Sequence, residues 1–198
     1  MNWYALFVQT GKEEIVKTEI NKRFNSKSIM CIIPKRKVPE KKGGVYYDKV
    51  KLLFPGYVFV ETLMNFEIYY KIKEIQNIIR LLDYLNPKDK FASLSSNSEQ
   101  IAINDETDYF KRIDDKEMNK LLNIVNEEGI IEYSQISFLN NNMYVVNSGP
   151  LKGLEDNIKK VDKHKNRVRI VFEFMEIKKT FDVGFVPSFC RLEEDSEK

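Results

Sequence analysis

The chain has 198 residues, long enough for one large domain or two small ones, and its 42% hydrophobic and 31% charged residues are the balance of an ordinary globular protein. Its 32 basic and 30 acidic residues leave a formal charge of +2, so bulk charge selects no class of partner. No apolar run approaches the ~18 residues needed to span a bilayer, and the opening Met1-Asn2-Trp3-Tyr4 lacks the basic lead and apolar core of a signal peptide.

Trp3 to Gln9 is rich in aromatic and β-favouring residues and reads as a strand ending at Thr10-Gly11. Thr10 and Glu13 have the spacing of a capping box, and Val16, Ile20 and Phe24 follow as one stripe of an amphipathic helix. Ile29 to Ile33 reads as a second strand, stopped by Pro34. Lys35 to Lys51 is basic and irregular, with Gly43-Gly44 as a hairpin tip. Phe54-Pro55-Gly56 is a turn into Tyr57-Val58-Phe59-Val60, the strongest strand signal in the chain. Asn65 caps a helix through Phe66, Tyr69 and Ile72. A strand over Ile78 to Leu82 is closed by Asn86-Pro87, and Ser96 with Glu99 opens a further helix through Ile101. Strands and helices mix without a βαβα repeat, which predicts an α+β domain built on a small antiparallel sheet flanked by helices.

The character changes after Asn104. From there to Glu132, nine acidic residues face four basic ones, and Met118, Leu121, Leu122 and Val125 sit at helical spacing before Gly129. From Ser137 onward short strands and turns follow closely, over Met143 to Val146, Asn157 to Val161, Arg167 to Phe174 and Lys178 to Val183. That density predicts a small all-β barrel. The expected division is 1–128 as the first domain, with an acidic helical extension over 105–128, then a linker over 129–136 and the barrel over 137–198.

Two stretches resemble the NusG family. Trp3-Tyr4 on the first strand and Phe54-Pro55-Gly56-Tyr57-Val58-Phe59-Val60 look like the aromatic pair and the F-P-G-Y strand of that family's N-terminal (NGN) domain. Val145-Val146-Asn147-Ser148-Gly149-Pro150-Leu151-Lys152-Gly153-Leu154, with Ile158 and Val161-Asp162 beyond it, resembles a KOW motif. Gly129-Ile130-Ile131-Glu132-Tyr133, taken with the basic turn of the KOW part, looks like the LoaP group of specialised paralogues. The resemblance implies an NGN domain followed by a five-stranded, SH3-like KOW barrel. One departure is Asp156, which stands where the KOW pattern has glycine. Either its backbone has a positive φ, which Asp tolerates at some cost, or the loop differs.

Tyr57 and Phe59 lie two apart on a strand and share a face, so they are either core residues or an apolar docking patch. The resemblance implies docking on the clamp region of the largest RNA polymerase subunit, with Tyr4 beside them and Tyr69 and Tyr70 reaching the opposite jaw. Ile158 to Arg169 carries Lys159, Lys160, Lys163, Lys165, Arg167 and Arg169 against Asp162 alone, a local +5 with His164 beside it. Clustered at one end of the barrel, and joined by Lys152, these residues suit the phosphates of a structured leader hairpin in nascent RNA; a solvated turn is the alternative. Lys35 to Lys51 is also +5, and is either a flexible hairpin with no partner or, as the resemblance implies for Lys35, Arg36, Lys37, Lys41 and Lys42, a segment near upstream or non-template DNA.

The reactive inventory is poor. Gly149-Pro150-Leu151-Lys152-Gly153 lacks the spacing of a phosphate-cradling loop, and His164 is the only histidine, without an identifiable nucleophile. No enzyme activity, metal or cofactor is expected. Cys31 and Cys190 are far apart and read more simply as free thiols of a cytoplasmic protein than as a disulfide. The expected function is processive antitermination by a monomer that binds polymerase and nascent RNA. The alternatives are a general elongation factor whose barrel binds a ribosomal protein or termination factor, and a ribosome-associated RNA-binding protein.

Overall fold

In the computed structural model the described residues are 1–82, 110–139, 143–175 and 177–188. The expected turn at Asn86-Pro87, the helix from Ser96 through Ile101, and Cys190 lie outside them. The chain forms two compact units, each assembled from two segments: Met1–Ile33 with Phe54–Asn119, and Pro34–Leu53 with Lys120–Lys198.

The first unit is built on β1 (Asn2–Val8), α1 (Glu13–Arg23), β2 (Ile29–Ile32), β5 (Tyr57–Thr62), α2 (Phe66–Lys73) and β6 (Ile78–Leu81). Its sheet has the order β2-β5-β1-β6, antiparallel at every pairing. Register decides which side chains share a face. Phe7, Ala5 and Trp3 stand opposite Tyr57, Phe59 and Glu61, whereas Leu6, Tyr4 and Asn2 stand opposite Val58, Val60 and Thr62. The second face is closed: Tyr4, Leu6, Val8, Val58, Val60 and Thr62 are all buried, as are Ile29 and Cys31 of β2. Each apolar side chain fully buried in this way contributes about 1.5–3 kcal/mol relative to exposure, so this face is a major stabilising surface of the unit.

The helices follow from local chemistry. Asn65 Oδ1 accepts the Ile68 N–H at 2.8 Å, the expected N-cap of α2. At α1 the expected capping box does not form; Lys12 is the N-cap residue, and no side chain caps the helix. Glu13 is instead buried, and its Oε1 accepts the Gly56 N–H at 2.7 Å, tying the start of α1 to the turn before β5. Glu13 and Glu14 in the first turn, with Lys22 and Arg23 in the last, complement the helix dipole.

The second unit contains β3 (Lys35–Lys42), β4 (Val45–Leu52), β7 (Ile130–Ile131), β8 (Ser134–Phe138), β9 (Tyr144–Ser148), β10 (Ile158–Asp162), β11 (Arg167–Phe174) and β12 (Ile177–Ser188). The helix α3 (Asp115–Leu122) spans the sequence junction between the units. Lys35 to Lys51, expected to be irregular, is a regular antiparallel hairpin paired residue for residue from Lys35↔Leu52 to Lys42↔Val45 around Gly43-Gly44. The density of charge hides the strands in the sequence, because β4 is exposed over most of its length and shows no alternation of burial. The hairpin groups with the C-terminal residues. β7 adds to β3 in parallel, so the expected linker carries β7 and the start of β8.

The remaining strands form a five-stranded sheet in the order β10-β11-β12-β8-β9. Its core alternates along β11, where Val168, Ile170, Phe172 and Phe174 are buried, and is completed by Ile136, Val146, Phe181, Val183 and Phe185. Asp156 sits in a 3-10 turn over Glu155–Asn157, and its φ is not positive. The loop therefore differs from the pattern that needs glycine there.

Gly56 has a φ of 83°, and a Cβ there would stand 3.3 Å from Thr10 Oγ1 and 3.4 Å from Phe7. Gly56→Ala is therefore expected to destabilise the protein by about 1–3 kcal/mol. Urea unfolding followed by circular dichroism checks this; an unchanged midpoint would show that the turn relaxes freely.

Candidate functional site

Two surfaces gather the chemistry. In the first unit, the face of the sheet carrying Tyr57 is partly open. Tyr57 and Phe7 are half-buried cross-strand partners with ring centroids 5.5 Å apart, and Tyr57 stacks on Phe59 at 6.4 Å. By register, Ile32 and Met30 of β2 stand beside Phe59 and Glu61 on the same face, Ile32 half-buried and Met30 exposed. This makes an apolar strip of Phe7, Tyr57, Ile32 and Met30.

The five aromatic residues expected at a docking face separate. Phe59 is 1% exposed and edge-packed on Phe54 at 5.9 Å, so it supports the strip from beneath. Tyr4 is also 1% exposed, and its register with Val60 puts it on the opposite, closed face, where burial pushes its phenol pKa up. Tyr69 is buried against Phe110 at 5.5 Å, while Tyr70 is 54% exposed. Tyr57 and Tyr70 are thus the two that offer area to a partner. Sequence reasoning missed Phe7, Ile32 and Met30, because their place beside Tyr57 comes from inter-strand register, which no local pattern encodes.

In the second unit the hairpin of β3 and β4 lies along the five-stranded sheet. Arg36 donates to the Asp182 carbonyl, and its guanidinium lies 5.7 Å from the Phe181 ring centroid. Burial lowers its pKa; Asp182 opposes that shift and Arg167 adds to it. Arg167 donates from Nε and Nη2 to the Pro39 carbonyl at 3.0 and 2.6 Å. Arg169 pairs with Asp182 through Nε at 2.8 Å and Nη2 at 3.3 Å, and this hydrogen bond, with the charge of Arg169 behind it, holds the Asp182 carboxyl below the usual carboxylate range. Lys37 bonds Glu132 at 3.0 Å, and the Tyr133 hydroxyl donates to Asp48 at 2.5 Å. The Tyr133 ring covers Gly184 so closely that a Cβ there would fall 2.0 Å from it.

The residues expected at DNA and at RNA therefore meet. Arg36 and Lys37 are committed to the sheet and Lys35 is half-buried, while Lys41 and Lys42 are exposed. Lys159, Lys160, Lys163, His164, Lys165 and Arg169 are exposed around the β10–β11 turn, with Lys163 4.4 Å from the Phe138 ring centroid. Lys152 is exposed on a separate turn. The Tyr46 hydroxyl donates to the His164 carbonyl at 2.6 Å beside an open recess of about 390 Å³ lined by Pro39, Lys41, Tyr46, His164, Lys165 and Arg167.

Residues 1–103 match the family described as "Transcription termination factor nusG". The chain belongs to the NusG family. NusG of Staphylococcus aureus strains Mu50 and N315 is 32% identical over 81 residues, which cover 38% of this chain and 44% of those proteins. The chain thus spans less than half the length of these NusG relatives. A structure of domain interaction in Thermotoga maritima NusG aligns with 92% of this chain and 93% of its own at 20% identity and a TM-score of 0.47. The MjSpt4:Spt5 complex aligns over 90% and 91% at 12% identity and a TM-score of 0.27. In this NusG-family chain the matched residues hold the sheet with the Tyr57 face, and the basic turn lies beyond them.

Asp182 gives the second unit an acid dependence. Its pKa is depressed in the folded protein, so its contribution is complete above the ordinary Asp value of about 3.9 and is lost as pH falls through the lower native value. Asp182→Asn is expected to cost about 1–2 kcal/mol near neutrality and progressively less in acid. Thermal melts of both proteins from about pH 3 to about pH 7 test this; a difference independent of pH would remove Asp182 from the account.

Proposed function

We propose that this chain is a non-catalytic, cytoplasmic regulator of transcription elongation that binds RNA polymerase through the open face of its first sheet. Membership of the NusG family sets the class, and the partly exposed strip of Phe7, Tyr57, Ile32 and Met30 is the observation that carries the binding reading. Aromatic residues on a rigid strand bury large area at little conformational cost, which suits them as anchors. In the NGN reading the strip meets the clamp region of the largest subunit, and exposed Tyr70 contributes a second contact. A factor that binds the closed clamp better than the open one shifts polymerase away from pausing by population alone.

The finer proposal is processive antitermination of the LoaP type. The second unit, as a KOW domain, binds a structured leader RNA through Lys159, Lys160, Lys163, Lys165 and neighbouring His164, with Lys152 on a separate exposed turn. Six cations within Ile158 to Arg169 support this, although Arg169 is neutralised by Asp182. Two tethered contacts, one on polymerase and one on RNA, raise the effective concentration of each. The protein acts as a monomer in this scheme.

One observation favours a second reading. Val145 on the edge strand β9, with Met143 and Leu139 beside it, is exposed. An apolar strand edge of this kind suits a protein partner, as expected for a general elongation factor whose KOW domain binds a ribosomal protein or termination factor.

Capture of core RNA polymerase by the full chain tests the first claim. Tyr57→Ala combined with Phe7→Ala is expected to weaken capture by at least about tenfold, the loss of one modest hot spot; undiminished capture removes this face from the mechanism. Gel shift with leader RNA separates the two finer readings. Retardation at low salt that fades as salt rises supports RNA contact, and no shift at low salt leaves the protein-partner reading.

A further inference from the structure

The cleft between the hairpin and the β10–β11 turn is built from segments more than a hundred positions apart, and its chemistry is uneven. The cavity of about 390 Å³ is walled by Lys41, Lys165 and Arg167, together with His164, Pro39 and Tyr46, and includes no carboxylate among the described residues. It shares Lys165 and Arg167 with a second recess of about 120 Å³, where Lys160 and Arg169 face Asp162 and Asp182. Asp162 and Asp182 thus stand on the far side of Lys165 and Arg167, in the smaller recess, and the described wall of the larger one presents cations and polar groups. Arg167 uses Nε and Nη2 on Pro39, which leaves Nη1 for another acceptor.

Tyr46 is the aromatic member. It is 45% exposed, and its hydroxyl is tied to the His164 carbonyl, so the ring is held upright with little freedom left to lose. Lys41, its cross-strand neighbour, holds Nζ 5.4 Å from the ring centroid. A preorganised ring beside a cluster of cations is the combination that binds single-stranded nucleic acid: the ring stacks on a base and the cations meet the adjacent phosphate. The recess is of the size that takes one small ligand. A duplex presents stacked, inaccessible base faces and a convex line of phosphates, which such a recess does not admit.

We propose that this cleft binds one unpaired nucleotide of a single strand, with the base against Tyr46 and the phosphate at Lys165 and Arg167. The inference rests on the nucleic-acid part of the proposed function. It deepens that reading by making the β3–β4 hairpin and the C-terminal sheet one site, and by selecting unpaired over paired nucleotides. In a structured RNA the nucleotide would come from a loop, bulge or end.

Fluorescence anisotropy of the full chain tests it with three probes: a single-stranded RNA of about eight nucleotides, single-stranded DNA of the same sequence, and the RNA as a blunt duplex. At low salt at least one single strand is expected to bind about tenfold or more tighter than the duplex. Whichever single strand binds supports the cleft and names its source. Tyr46→Ala and Lys165→Ala are each expected to weaken single-strand binding about tenfold, while Tyr46→Phe, which keeps the ring, stays within about threefold. Tyr46 is exposed, so the variant should fold, and an unchanged melting curve verifies this. Duplex binding as tight as single-strand binding overturns the inference, as does a Tyr46→Ala protein of unchanged affinity. If RNA binding survives Tyr46→Ala but is abolished by Lys159→Glu with Lys160→Glu, the cleft fails and the broader RNA reading stands. If no RNA or DNA binds, both fail.

Discussion

The second unit depends on how Asp182 is surrounded. Its carboxylate is bonded by Arg169, its carbonyl receives Arg36, and the charge of Arg167 lies close enough to lower its pKa further. Three guanidinium groups converge on one acid. A partly buried cluster of this kind is stable only if every charge has a partner, because an uncompensated one costs several kcal/mol. Here Arg167 places Nε and Nη2 on the Pro39 carbonyl, and Arg36 also lies near the Phe181 ring. Removing the acid would leave the arginines repelling one another. The same cluster brings the hairpin against the five-stranded sheet and so determines where Lys41, Tyr46 and Lys165 stand.

Side-chain size reinforces the electrostatics. Tyr133 lies on Gly184 with no space for a Cβ, and its hydroxyl reaches Asp48 of the hairpin. Arg167 is the cross-strand partner of Gly184, so the bare backbone at Gly184 and the Arg167–Pro39 bond occupy one place on the sheet. Short-range packing thus sets the distance and the charges set the orientation. What this leaves at the cleft is a wall of Lys41, Lys165 and Arg167 around Tyr46.

The first unit works by a different constraint. β5 is a central strand, paired on both sides, and its register with β1 sorts aromatic residues between faces. Phe59 and Tyr57 share a face, yet only Tyr57 reaches the surface, because Phe59 sits nearer the middle of the sheet and packs on Phe54. Exposure on this face rises from Phe59 to Tyr57, toward one end of β5. A partner would meet the end of the strand, where Phe7 and Tyr57 stand together.

Local sequence determined much of this protein. The strands at Trp3, Ile29 and Tyr57, the Asn65 cap, the glycine tip of the hairpin and the alternation along Arg167 to Phe174 all follow from nearest-neighbour chemistry, which acts in every copy of such a segment. The two basic stretches were equally plain as charge, and so was the Phe54 to Val60 strand on which the family likeness first rested. Tertiary structure alone decided which side chains these segments release to solvent. Tyr4 and Phe59 went to the core, Glu13 became a buried acceptor for Gly56, and the hairpin joined the C-terminal sheet. Those outcomes depend on register and on pairs such as Arg36 with Asp182 or Tyr46 with His164, separated by more than a hundred residues. A sequence pattern records what a residue prefers, whereas burial and pairing are set by the partner that the fold brings to it.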